Sequence, residues 1–189
     1  MKILLAPMEG LLDHSLRDTL TRAGGIDLCV SEFIRVTDAV LPKRAFYRVV
    51  PELLNESKTH AGVPVRTQLL GSDPEILAAN AARLAKLNPA GIDLNFGCPA
   101  PKVTRRGGGA AVPLKRQLLH AIVTAAVTAG KEYGIPVTCK FRMGINDDLI
   151  TFIETGLICE DAGAVAVALH ARTAQQHYAQ SAHWEAISQ

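Results

Sequence analysis

Short apolar runs alternate with longer stretches whose apolar residues recur every three to four positions. The runs 3–8 (ILLAPM), 28–33 (LCVSEF), 65–70 (VRTQLL), 92–96 (IDLNF), 137–142 (VTCKFR) and 164–170 (AVAVALH) predict strands. Their nearly continuous apolar character suits parallel strands covered on both faces. Helices are predicted between them. Asp13 is placed to cap one that carries Leu16, Leu20 and Ala23 on one face and stops at Gly24-Gly25. Asp73-Pro74 opens another, with proline at the first helical position. Residues 114–129 bring Leu114, Leu118, Ile122 and Ala125 to one side, residues 147–162 form the next helix up to Gly163, and a last one starts near His183-Trp184. The stretch 34–64 is long for a connection and is expected to hold small elements of its own.

Strands alternating with helices point to an α/β fold, either a (β/α) barrel or a doubly wound sheet. Polar residues decide between them. They gather where the predicted strands end: Met8-Glu9, Glu32, Gln68, Asn95 to Cys98, Lys140 with Arg142, and His170 with Arg172. A barrel turns all its strand ends toward one mouth, whereas a doubly wound sheet concentrates its site at one switch point. The expected fold is a TIM (β/α)8-type barrel of which about six βα units are present.

Composition narrows the function. The 189 residues are 48% hydrophobic, enough for one sizeable core, and 20 Lys plus Arg against 18 Asp plus Glu gives a net charge of +2. That balance does not mark a nucleic-acid binder, so local clusters carry the weight. No stretch is apolar enough to span a membrane, and MKILLAPMEG lacks the features of a signal peptide. Cys29, Cys98, Cys139 and Cys159 are scattered without a CxxC pair. Neither a disulfide framework nor a metal site is expected, and a reducing cytoplasm fits.

Cys29, Cys139 and Cys159 sit in apolar patterns and read as core. Cys98 does not: Gly97 and Pro99 hold it in a turn just past a strand. A thiol there can serve as a proton donor as well as a nucleophile. Lys140 lies in a run that otherwise reads as buried strand, and a lysine is rarely buried without a partner. It suits an anionic or electron-rich ligand at the mouth. Gln68 and His170 have structural readings as well as functional ones, since buried polar groups must find partners somewhere. The run Arg105-Arg106-Gly107-Gly108-Gly109 lacks the context of a phosphate loop but permits close backbone approach. Lys102, Arg105 and Arg106 form a basic cluster beside Cys98, and Lys43, Arg44 and Arg48 form a second with a weaker claim on a polyanion.

APMEG at 6–10, SEF at 31–33, QLLG at 68–71, DLNFGCP at 93–99, Val103 through Gly107 to Ala110, KFR at 140–142 and HART at 170–173 together resemble the tRNA-dihydrouridine synthases. The motifs run in family order over nearly the whole chain. EFIRV at 32–36 looks most like the bacterial branch acting on uridine 16 of the tRNA D-loop. The resemblance implies an FMN-dependent TIM barrel that uses NADPH to reduce the C5–C6 double bond of a uridine in tRNA. It places Pro7, Met8, Glu9, Gln68, Asn95, Lys140, His170 and Arg172 at the flavin and Cys98 as the proton donor. Arg35, Lys102, Arg105 and Arg106 would face the tRNA.

HART carries Ala171 where the family usually has glycine. The resemblance further implies that residues 1–189 are the N-terminal part of the barrel. Its final two βα units and a C-terminal helical tRNA-binding domain would then be absent, and this length alone is expected to bind FMN poorly and to modify no tRNA. The alternatives are an FMN barrel reductase of a free pyrimidine or enone, and a non-catalytic RNA-binding remnant.

Overall fold

A computed structural model describes residues 1–179 and 181–188. Six strands, β1 (Leu4–Leu5), β2 (Leu28–Arg35), β3 (Val65–Leu70), β4 (Ile92–Phe96), β5 (Val137–Arg142) and β6 (Ala166–His170), form one parallel sheet in sequential order. A doubly wound sheet reverses its order at a switch point. This one does not: it curls as an incomplete barrel, with helices in the crossovers.

The helices are α1 (His14–Ala23), α2 (Lys43–Val49), α3 (Pro74–Ala85), α4 (Pro101–Thr104), α5 (Arg116–Lys131) and α6 (Phe152–Asp161). Asp13 caps α1 by accepting from the Leu16 N–H, and Asp73 caps α3 by accepting from the Ile76 N–H, each at 2.9 Å. The 34–64 connection holds α2 and a 3-10 turn at Pro51–Leu54.

The core lies between sheet and helices. Leu69, Ile92, Leu94, Val137 and Cys139 on the strands pack with Leu77, Ala81, Leu119, Ile122 and Cys159 on the helices. The three cysteines read as core are fully buried.

The other face of the sheet departs from expectation. The register sets Gln68, Asp93, Thr138 and Ala166 in one row and Asn95, Lys140 and Ala168 in the next. Arg142 and His170 follow above them. Strands expected to be apolar on both faces are therefore polar on the inner one.

Four further expectations are corrected. The first strand is two residues long rather than spanning 3–8, since β1 pairs only with β2 and Pro7 has no N–H for a ladder. Helix α1 buries Arg17 and Thr21, leaving Leu16 and Leu20 half-buried and Ala23 exposed. Arg17 is fully buried because Glu52 accepts from its Nε at 2.8 Å and its Nη2 at 2.9 Å, while Leu12 and Val49 offer carbonyls. Helix α5 turns Leu119, Ile122, Val123 and Ala126 inward, one residue round from the predicted face, and Leu114 is exposed in a 3-10 turn at Gly109–Leu114. The last predicted helix is a 3-10 turn at Trp184–Ser188.

Candidate active site

The strand ends surround a cavity of about 980 Å³. Its lining includes Pro7, Met8, Glu9, Gln68, Asn95, Cys98, Lys140, His170 and Arg172, every residue expected at the flavin or as proton donor. Segments up to 165 residues apart meet there because parallel strands in sequential order bring their C-terminal ends to one rim.

Gln68 is fully buried, and both ends of its amide are engaged. Its Nε2 donates to Asp93 Oδ2 at 2.6 Å, and its Oε1 accepts from Asn95 Nδ2 at 2.8 Å. Asn95 Oδ1 in turn accepts the N–H groups of Gly97 and Cys98, each at 3.0 Å. Cys98 is a free, half-buried thiol at the cavity wall. Its carbonyl accepts from the Ala110 N–H at 3.0 Å. A Cβ at Gly109 would stand 2.5 Å from that carbonyl oxygen, and Gly109 has φ +55°. The glycine run thus braces the cysteine loop by close backbone approach.

Lys140 has no hydrogen-bond or ion-pair partner among the described residues, although it is half-buried. Burial lowers its pKa, the Asp93 carboxylate opposes that shift and the Arg142 charge adds to it. An ammonium so placed at a cavity wall suits an electron-rich ligand edge. Arg142 ties two loops together: Nε donates to the Gly97 carbonyl at 3.0 Å and Nη1 to those of Thr173 at 3.1 Å and His177 at 2.8 Å. Its guanidinium also lies 5.5 Å from the Tyr178 ring centroid.

His170 has its pKa pushed down to about 4 by burial first, then by the charges of Arg142, Lys140 and Arg172. The ring is neutral near pH 7, so its Nε2 accepts from Arg172 Nη1 at 3.2 Å.

The residues expected to face tRNA are not in this cavity. Arg35 and Arg106 line a second cleft of about 260 Å³ with Thr37, Gly71 and Ser72. Arg35 Nη2 donates to the Lys102 carbonyl at 2.7 Å, and Lys102 Nζ stands 3.8 Å from Glu9 at the rim. Arg105 is exposed and lines neither cleft, and Lys43, Arg44 and Arg48 are exposed on and beside α2. Glu32, expected on the rim, accepts from the Gly10 N–H at 2.5 Å instead of lining the cavity.

Sequence reasoning missed Asp93, Phe33 and Tyr178. The signal for Asp93 was its spacing: it stands two residues before Asn95, hence on the same face of the strand.

A sequence profile described as dihydrouridine synthase (Dus) matches residues 4–189. The tRNA-dihydrouridine(16) synthase of Cupriavidus necator is 49% identical over 99% of this chain and 58% of its own length. The Pseudomonas putida protein of the same name is 49% identical over 100% and 58%, and that of Vibrio parahaemolyticus 46% over 100% and 58%. The chain thus spans less than two thirds of these relatives. In fold it is similar to a 2,3-dimethylmalate lyase of the PEP mutase/isocitrate lyase superfamily, with TM-score 0.54 and 16% identity over 90% of this chain and 57% of that one. With the profile matched almost from end to end and the expected residues lining one cavity, the chain belongs to the dihydrouridine synthase family.

Proposed function

We propose that this chain carries the reacting centre of a tRNA-dihydrouridine synthase, which reduces the C5–C6 double bond of a uridine in the tRNA D-loop. The names of its relatives favour position 16. The observation that carries the reading is the meeting on one cavity wall of Cys98, Asn95, Gln68 and Lys140, the last without a hydrogen-bond or ion-pair partner among the described residues. That wall fits a flat, polar-edged ring. FMN, reduced by NADPH, would supply the hydride for C6 of the uracil.

The chain's own residues would do the rest. Cys98 gives its thiol proton to C5, and the hydrogen bonds from its loop to Asn95 keep the sulfur in place. Lys140 and the free lone pair and N–H of Gln68 hold the ring edge, with Pro7, Met8 and Glu9 alongside. Neutral His170 and Arg172 close the opposite side. Arg35 and Arg106, with Lys102 and Arg105 nearby, hold tRNA phosphates once the uridine has left its stack.

We further propose that two more βα units close the barrel and that a helical domain grips the tRNA. Supporting this, β1 and β6 each have a single neighbour in the sheet, and Leu4, Val165 and Val167 along them are exposed. A bacterial tRNA enzyme of this kind would work in the cytoplasm.

The test is Cys98→Ala in the intact protein, with dihydrouridine in a tRNA transcript measured by mass spectrometry. Flavin content and its reduction by NADPH should persist, while product formation falls roughly 10²- to 10⁴-fold, the usual worth of a positioned general acid. Near-normal product would overturn the assignment.

A further inference from the structure

Asp93 is 3% exposed and bridges three strands. Its Oδ2 accepts from Gln68 Nε2 on β3 at 2.6 Å, and its Oδ1 from Thr138 Oγ1 on β5 at 2.5 Å. The register aligns these three side chains in one row across the inner face.

The direction of the hydrogen bonds is informative. A carboxylate only accepts, so Gln68 must turn its Nε2 toward Asp93. Its Oε1 is then left for Asn95, which must answer with Nδ2. That leaves Asn95 Oδ1 facing the Gly97 and Cys98 N–H groups, which only donate. An acceptor at one end and donors at the other fix two side-chain amides, each otherwise free to flip, in one orientation.

We propose that Asp93 is the positioning residue of the Cys98 loop, acting through Gln68 and Asn95 from two strand positions below the rim. Its importance for chemistry rests on the reading of Cys98 as proton donor. The relay itself does not. Burial raises the Asp93 pKa, while its bonds to Thr138 and Gln68 and the charges of Lys140 and Arg66 oppose the rise. The relay tolerates protonation, because the oxygen facing Gln68 still accepts.

The test compares four variants of the full chain: Asp93→Val, Gln68→Leu, Asp93→Asn and Thr138→Val. Backbone hydrogen exchange at Gly97 and Cys98 is measured by NMR against slow amides of the core, together with the rate of Cys98 alkylation by iodoacetamide. Asp93→Val and Gln68→Leu should speed both about five- to tenfold, the factor set by losing one hydrogen bond of ordinary net strength. Asp93→Asn should restore wild-type rates, because its Oδ1 accepts from Gln68 while its Nδ2 donates to Thr138. Thr138→Val removes the other bond of Asp93, and should lower stability without loosening the loop. If Asp93→Val does not fold, Gln68→Leu against Thr138→Val decides. The proposal is overturned if the loop is unmoved by Gln68→Leu or Asp93→Val, or if Thr138→Val moves it equally. Neither readout involves flavin or tRNA, so near-normal product from Cys98→Ala in the intact protein would sink the functional reading and leave the relay standing.

Discussion

Replacing Lys140 by methionine separates a ligand-binding lysine from a structural one, because the two roles predict opposite signs. Methionine keeps an unbranched, flexible side chain of similar reach and removes the ammonium. In the free protein the side chain is half-buried, has no hydrogen-bond partner among the described residues, and has its pKa lowered by burial. Its removal should leave stability unchanged or raise it by about 1 kcal/mol, because a desolvated charge without a partner costs free energy. Flavin binding, measured on the intact protein, should suffer. A hydrogen bond from a charged donor contributes about 1.5–3 kcal/mol, so FMN affinity should fall roughly 10- to 150-fold. Urea unfolding gives the first quantity, and quenching of flavin fluorescence on titration gives the second. A stability loss above about 1 kcal/mol with unchanged affinity would refute the reasoning and return Lys140 to a role in holding the sheet.

Two further tests address the frame around the site. Arg17→Met should cost about 3–5 kcal/mol in urea unfolding, since Glu52 stays buried without its cation, and the double variant Arg17→Met/Glu52→Met should recover most of that loss; a double variant no better than the single would show that the pair holds the 34–64 segment by more than its charges. For His170, the folded pKa of about 4 lies below the ordinary value, so the unfolded chain takes up the proton first. Stability should therefore be full above about pH 6.5 and fall by about 1–2 kcal/mol toward pH 4, a range discounted for the partial exposure of the ring; an NMR titration of the imidazole with a midpoint between 6 and 7 would contradict this.

The strands at 65–70, 92–96 and 137–142 stand where the pattern put them. Pro64, Gly91 and Pro136 immediately precede them, and their outward residues pack directly on α3 and α5. Three features were not read from the sequence, two of them because they depend on a partner distant in sequence. The length of β1 depends on having a ladder on both sides. The buried side of α1 depends on Glu52, 35 residues away, which makes an arginine a core residue. The inner face of the sheet was misread because Thr138 and Cys139, or Gln68 and Leu69, are adjacent in sequence but look to opposite sides. The residues singled out from the sequence were those ending strands, which is why Lys140 and Asn95 were found. Asp93, one row deeper, was not.

The two rows of the inner face explain why a cavity exists where these residues meet. In the deeper row Gln68, Asp93 and Thr138 satisfy one another and form a closed polar floor. In the upper row Lys140 stands between Asn95 and Ala168 in register. Asn95 is drawn down onto Gln68 and the cysteine loop, and the neighbour in register on β6 is the small, exposed Ala168. Ala6, equally small, lines the cavity. Lys140 is left at the cavity wall with no hydrogen-bond or ion-pair partner among the described residues. On the proposed reading, an electron-rich ligand edge would give Lys140 the partner it lacks among the described residues and offset the cost of its desolvation.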